Sequence, residues 1–315
     1  MKIGIIGSGF VGSATAFSLI TSGVARKIVL IDTDEKKANA EANDISHAAP
    51  FSHAGKIKAG TYKDLQGSKI IIITAGANQK VGEPRTALLE RNITIFQNII
   101  PKVVEYAPDS ILLIASNPVD IMTAVAIELS GFSPQKVFGS GTVLDSSRFR
   151  TLLGYYMSIS PKSVHANVLG EHGDSEVLIW SNAYSGGIHV EDIAKDIGKP
   201  ITEEEKNKID NCVRNAAYQI IEGKGATYYG IAGALTRICQ AITSNEHAIL
   251  TLSTFYDHIE DSHNICLSYP CIVGKRGIIG KLSPKLSADE HQKLSISAKK
   301  IEAFTQQARE FLNIK

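Results

Sequence analysis

The sequence predicts an α/β fold, doubly wound around parallel strands in its first half and mixed α+β in its second. Three observations predict it. Short apolar runs alternate with helical stretches through the first half, the order that places parallel strands between two helical layers. One run, "KIIII" at 69–73, is apolar without alternation, as in a strand covered on both faces. After residue 144 the pattern changes to alternating strand-like segments and longer helices.

In order, "KIGIIG" opens the chain as a strand, and a helix is expected over 10–22. "KIVLID" is the second strand and 34–48 the second helix. "KIIIITA" empties into "AGANQKVGEPRTA" (75–87), a Gly/Pro-punctuated loop carrying Gln79, Lys80, Glu83 and Arg85, before a helix over 86–106. "SILLIAS", a helix over 119–131 and "KVFGSG" complete the first half. Beyond it, "SVHANVLG", "EVLIWSNAYSGG" and "HAILTLSTFYDH" read as strands, and 202–222, 226–243 and 287–313 as helices. Thr202 with Glu205, and Ser287 with Glu290, have the spacing of capping boxes. The division expected is a nucleotide domain over 1–144 and a substrate domain over 145–315.

Composition excludes several classes. A formal net charge of +1 over 315 residues lacks the basic stripe of a nucleic-acid binder. No apolar stretch approaches the roughly 20 residues that cross a bilayer. "IGIIGSGF" is too short and glycine-broken for a signal peptide. Cys212, Cys239, Cys266 and Cys271 fall in no metal-ligand spacing and are expected to be buried free thiols, so no metal is expected and the setting is a reducing cytoplasm.

"GSGFVGS" places Gly7, Gly9 and Gly12 between a strand and a helix. The first allows the tight turn, the second lets a pyrophosphate approach the backbone, and the third lets helix pack on strand, the Rossmann arrangement. The phosphates would meet free N–H groups at the helix N-terminus. Asp32 closes the next strand; a carboxylate there bonds a ribose 2′-hydroxyl and repels a 2′-phosphate, which favours NAD over NADP.

"NVLGEHGDSEV" sets His172 between glycines in a turn leaving a strand, and "TVLDSSRFR" offers Asp145 and Arg148 three apart on one helical face. A histidine works as an acid–base near neutral pH, and a carboxylate on its other ring nitrogen fixes tautomer and orientation. An arginine fork pairs with a carboxylate through two hydrogen bonds. With NAD, these groups describe hydride transfer at a 2-hydroxy or 2-oxo acid.

Taken with "TAGANQK", "SNPVDI" and "GKGAT", these motifs run nearly end to end in an order that resembles bacterial members of the lactate/malate dehydrogenase family. The resemblance implies reversible reduction of pyruvate to L-lactate, the last step of fermentative glycolysis, and a homotetramer. It implies that His172 donates the proton, Asp145 holds His172, Arg148 clamps the substrate carboxylate, and Arg85 swings in with a closing loop. Asn117 and Thr227 are similar to positions lining the nicotinamide and substrate pocket. Arg150 and His165 resemble positions that bind fructose 1,6-bisphosphate between subunits in allosteric relatives. The loop departs from the pattern: relatives read "NQKPGETR", whereas Val81 stands at the first proline and Pro84 precedes Arg85.

Gln79 bears on the substrate. Malate-specific relatives place an arginine there, opposite the second carboxylate of oxaloacetate. A neutral glutamine leaves that carboxylate without a charged partner, at a cost of several kcal/mol, and each ~1.4 kcal/mol is tenfold in specificity. Lys80 is shared with lactate-type relatives and is read as outward-facing. A malate or broader 2-oxo acid dehydrogenase, a metal-assisted NAD-dependent glycosidase and a non-catalytic NAD-binding protein are the rival readings.

Overall fold

The computed structural model describes residues 1–53, 55–77 and 85–314, with Arg85 and Thr86 as backbone alone. The chain runs through β1 (Lys2–Ile6), α1 (Phe10–Thr21), β2 (Lys27–Ile31), α2 (Glu35–Ala48), β3 (Lys56–Ala59) and β4 (Ile70–Ile73). It continues with α3 (Arg85–Tyr106), β5 (Ile111–Ile114), α4 (Val119–Ser130), β6 (Val137–Gly139) and α5 (Val143–Met157). Then come β7 (Val164–Leu169), β8 (Val177–Ser185), β9 (Ile188–His189), α6 (Val190–Asp196), α7 (Glu203–Lys224) and α8 (Tyr229–Thr243). A meander of β10 (Ala248–Ile259), β11 (Ser262–Gly274) and β12 (Gly277–Lys281) leads to the closing helix α9 (Ala288–Leu312).

Six strands form a parallel sheet in the order β3-β2-β1-β4-β5-β6. This is the doubly wound order, with the switch in direction between β1 and β4. The apolar run of β4 explains itself here. Ile71 and Ile73 point into the core layer that holds Phe96 of α3, and Ile70 and Ile72 into the opposite layer with Leu19 of α1. Successive side chains leave opposite faces of a strand, so a strand covered twice must be apolar throughout.

The sheet does not end with the first half of the chain. β10, β11 and β12 extend it antiparallel beyond β6, joined through the pair Ser253–Gly139. A separate antiparallel sheet, β7-β8-β9, packs with α5 over a third core built on Phe149, Leu153 and Val168. The box expected at Ser287 and Glu290 forms in both directions, whereas at the start of α7 Thr202 accepts from the Glu205 N–H and Glu205 turns to Lys208. Three of the four cysteines are buried as expected; Cys212 is exposed on α7. Among the described residues no helix is long and apolar enough to cross a membrane.

Candidate active site

Four loops carrying polar residues leave the carboxyl ends of β1, β2, β4 and β5, around the point where strand order reverses; ligands of open α/β sheets bind in that crevice. Gly7 has φ +106°, and a Cβ there would stand 2.7 Å from the Ala75 nitrogen. A Cβ on Gly12 would stand 1.9 Å from the Gly7 carbonyl oxygen, so α1 rests directly on the turn. Gly9 is different: a Cβ there meets nothing within 4 Å. That open space lies at the start of α1, where Gly9 is the N-cap and no side chain caps the free N–H groups. The turn thus has the room and the donors that a pyrophosphate requires.

Asp32 follows β2 at the rim of this turn. Its Oδ2 accepts from the Ser8 N–H at 2.6 Å and the Ser8 hydroxyl at 2.8 Å, while Oδ1 accepts from the Asp34 N–H at 3.1 Å. Partial burial works against its charge, but the Ser8 and Asp34 hydrogen bonds outweigh it and hold the carboxyl below its usual range. An ionised, half-buried carboxylate fits ribose hydroxyls and rejects a 2′-phosphate, so the residues present fit NAD.

The loop between β4 and α3 begins at Thr74, whose hydroxyl donates to the Gly7 carbonyl at 3.0 Å. Gln79 lies outside the described residues, as do Lys80, Val81 and Pro84, and so does the side chain of Arg85, the first residue of α3. Asn92, buried on α3, ties the loop's near end to the neighbouring one. It accepts from the Ala77 N–H at 2.7 Å and donates to the Asn117 carbonyl at 2.8 Å. Asn117, exposed after β5, precedes the cis peptide bond to Pro118.

His172 stands in the turn from β7 to β8, between Gly170 (φ +90°) and Gly173 (φ +153°). Its backbone N–H donates to Asp120 Oδ2 at 2.8 Å, which fastens the turn to α4. Its Nδ1 lies 2.6 Å from Asp145 Oδ2, and Arg148 Nη1 donates to Asp145 Oδ1 at 2.7 Å. Asp145 is therefore bonded on both oxygens and fully enclosed. His172 keeps a quarter of its side chain in contact with solvent (25 %) and Arg148 a sixth (16 %). Burial would lower the His172 pKa, yet the Asp145 charge and hydrogen bond, with Asp120 and Glu176 behind, raise it from 6.5 to about 9. Burial alone would raise Asp145, and the His172 and Arg148 cations hold it low instead. With Nδ1 committed to Asp145, Nε2 is the ring atom free to exchange a proton with a ligand.

Thr227 lies between α7 and α8 beside a cavity of about 380 Å³ that Ile220, Lys224 and Tyr228 also line. Tyr228 stacks on Phe10, the first residue of α1, at 5.2 Å between ring centroids, which anchors this loop to the nucleotide turn. Arg150 and His165 fall elsewhere. Arg150 Nε donates to the Ala166 carbonyl at 2.8 Å and Nη2 to Asn167 Oδ1 at 3.0 Å, and His165 is exposed on β7. Three residues of the site were not anticipated from sequence: Asn92, Asp120 and Glu176. Asn92 carried a signal, since it shares the helical spacing of buried Leu89, Ile93 and Phe96.

Nucleotide turn and proton-bearing histidine define the class of protein: an NAD-dependent oxidoreductase. Residues 1–139 match the lactate/malate dehydrogenase NAD-binding domain and residues 142–312 the alpha/beta C-terminal domain of the same family. An L-lactate dehydrogenase of Thermus aquaticus is 50 % identical over 298 residues, 95 % of this chain and 96 % of its own. One of Allorhizobium ampelinum is 50 % identical over 299 residues, with the same coverage of both chains. The crystal structure of the minor L-lactate dehydrogenase of Enterococcus mundtii superposes with a TM-score of 0.93 at 36 % identity, covering 97 % of each chain. The chain belongs to the lactate/malate dehydrogenase family.

Proposed function

We propose that the protein is an L-lactate dehydrogenase that reduces pyruvate reversibly with NADH, and that His172, Asp145, Arg148 and Arg85 carry the reaction. The observation that carries this reading is the chain Arg148–Asp145–His172, with Nε2 of the histidine left available. Bound NADH supplies the hydride. His172 holds a proton at Nε2 and delivers it to the carbonyl oxygen, a step of the kind worth 10²–10⁴-fold. Asp145 fixes the ring and stabilises its charged form. Arg148 spends one N–H on Asp145 and has the rest of its fork for the substrate carboxylate. Arg85, entering with the loop, polarises the carbonyl once water is shut out.

Gly7, Gly9, Gly12 and Asp32 hold the cofactor, with Asn117 at its nicotinamide end and Thr227 at the substrate. Gln79, neutral on the loop, favours pyruvate over oxaloacetate by leaving the second carboxylate unpaired. The chain divides at 144/145, works in the cytoplasm as a homotetramer, and takes fructose 1,6-bisphosphate as an effector at Arg150 and His165. The test is NADH oxidation with pyruvate and with oxaloacetate side by side. A kcat/KM for pyruvate at least ~100-fold higher is expected, the discrimination worth about 3 kcal/mol; comparable turnover of oxaloacetate overturns the lactate reading.

A further inference from the structure

Behind the His172–Asp145 pair stands a third acid to which the mechanism above gives no part. Glu176 ends the catalytic turn just before β8 and is 3 % exposed. One of its carboxyl oxygens, one of Asp145's and a ring nitrogen of His172 all lie within 4.8 Å of one another. Yet Glu176 Oε1 is buried without a hydrogen-bond partner among the described residues. An ionised carboxylate in that position would carry an unsolvated charge beside Asp145, which is already negative and already bonded on both oxygens.

The charges around it are few. On α5 are Asp145 and Arg148. Arg214 reaches in from α7 with its guanidinium committed to Asp210 and to the Asp174 carbonyl. Asp120 of α4 holds the His172 N–H, and Glu171 in the same turn pairs with Lys300 of α9. The nearby cations are thus engaged by other acids, and none is bonded to Glu176 among the described residues.

We propose that Glu176 is a positioning acid that carries its proton at neutral pH, and that the charge it gains as the solution becomes more alkaline helps to keep His172 protonated. This rests on the reading of His172 as proton donor. Two like-charged carboxylates in one dry site cannot both ionise easily, so the unbonded one keeps the proton. Burial, reinforced by the Asp145 charge, lifts Glu176 to about 8. Once ionised, a carboxylate within 4.8 Å of the ring strengthens its hold on the proton.

Two measurements test this. Infrared difference spectra of the wild-type holoenzyme titrated from neutral to alkaline pH should show a protonated-carboxyl carbonyl stretch at neutral pH that disappears as the pH rises; it should be missing in Glu176→Gln. The alkaline limb of kcat/KM for pyruvate should move down by about one pH unit in Glu176→Gln, which cannot gain charge. Glu176→Asp, which can, should move it less. Absence of the carboxyl band from wild type at neutral pH overturns the proposal, without recourse to any variant. So does a Glu176→Gln profile that superimposes on wild type. The infrared band is independent of turnover, so an enzyme inactive toward pyruvate would sink the lactate reading while leaving Glu176 open to measurement.

Discussion

The proton proposed for His172 should have a catalytic and a structural signature, and one substitution separates them. His172→Asn should lower kcat for pyruvate by about 10²–10⁴-fold or more while NADH binding persists; near-wild-type turnover would remove the histidine from the mechanism. The same ring affects stability through pH. Its folded pKa is raised, so its contribution is fully present below 6.5 and is lost as pH rises through about 9, at most about 3 kcal/mol. The urea midpoint of the wild type should therefore fall across that window more steeply than that of His172→Asn; parallel curves would show an uncharged ring. Gln79→Arg should raise kcat/KM for oxaloacetate and lower it for pyruvate, and an undiminished pyruvate preference would place selectivity elsewhere on the loop. His172, Asp145 and Arg148 were legible in sequence because their chemistry is unusual at that spacing, and the structure brings all three together. Asp120 and Glu176 were not, because what distinguishes them is burial beside His172 by segments distant in the chain, which no local pattern records.

At the scale of elements, the three glycines of the nucleotide turn serve separable purposes, and substitution should divide them. Gly12→Ala forces a methyl against the Gly7 carbonyl at 1.9 Å and should cost about 1–3 kcal/mol of stability through overpacking. Gly9→Val projects into open space, so the fold should lose no more than about 1 kcal/mol, the cost of a β-branched residue at an N-cap. It should nonetheless weaken NADH binding by about tenfold or more, because the side chain stands where a pyrophosphate approaches the helix. Equal loss of stability in both variants would make the turn a packing device alone. Five of the six parallel strands and their helices were readable from apolar runs and turn signals almost to the residue, whereas β3, a four-residue edge strand of alternating lysines, was not. The β11 segment was not. Pro270 interrupts its run, and a proline inside an apolar stretch argues against a central strand. The structure places Pro270 where the pairing with β12 has ended, opposite Thr251 of β10. That β10–β12 continue the first sheet depends on one strand pairing, Ser253 with Gly139, between segments far apart in the chain.

Across the whole molecule, α5 connects the site to the outer sheet, and its two arginines point the two ways. Arg148 meets Asp145 at the site, whereas Arg150, two residues on, grips the Ala166 carbonyl and Asn167 of β7. His165, on the same strand, is exposed. In a homotetramer with an effector at this strand, a two-fold axis would bring two copies of Arg150 and two of His165 around an anionic bisphosphate. Neutralising their repulsion would favour the arrangement in which α5 holds Arg148 in place, a coupling by differential binding. Trp180, the only tryptophan of the chain, reports on this helix directly, since it packs edge-on against Phe149 of α5 at 4.9 Å between centroids. Millimolar fructose 1,6-bisphosphate near pH 7 should therefore shift the pyruvate saturation curve to lower concentration and alter Trp180 emission together. Arg150→Gln should abolish both effects, and should also lower the melting temperature by the loss of two hydrogen bonds, each worth about 1 kcal/mol. A hyperbolic curve and unchanged emission in the wild type, with the melting temperature still lowered in the variant, would reduce Arg150 to a pin between α5 and β7.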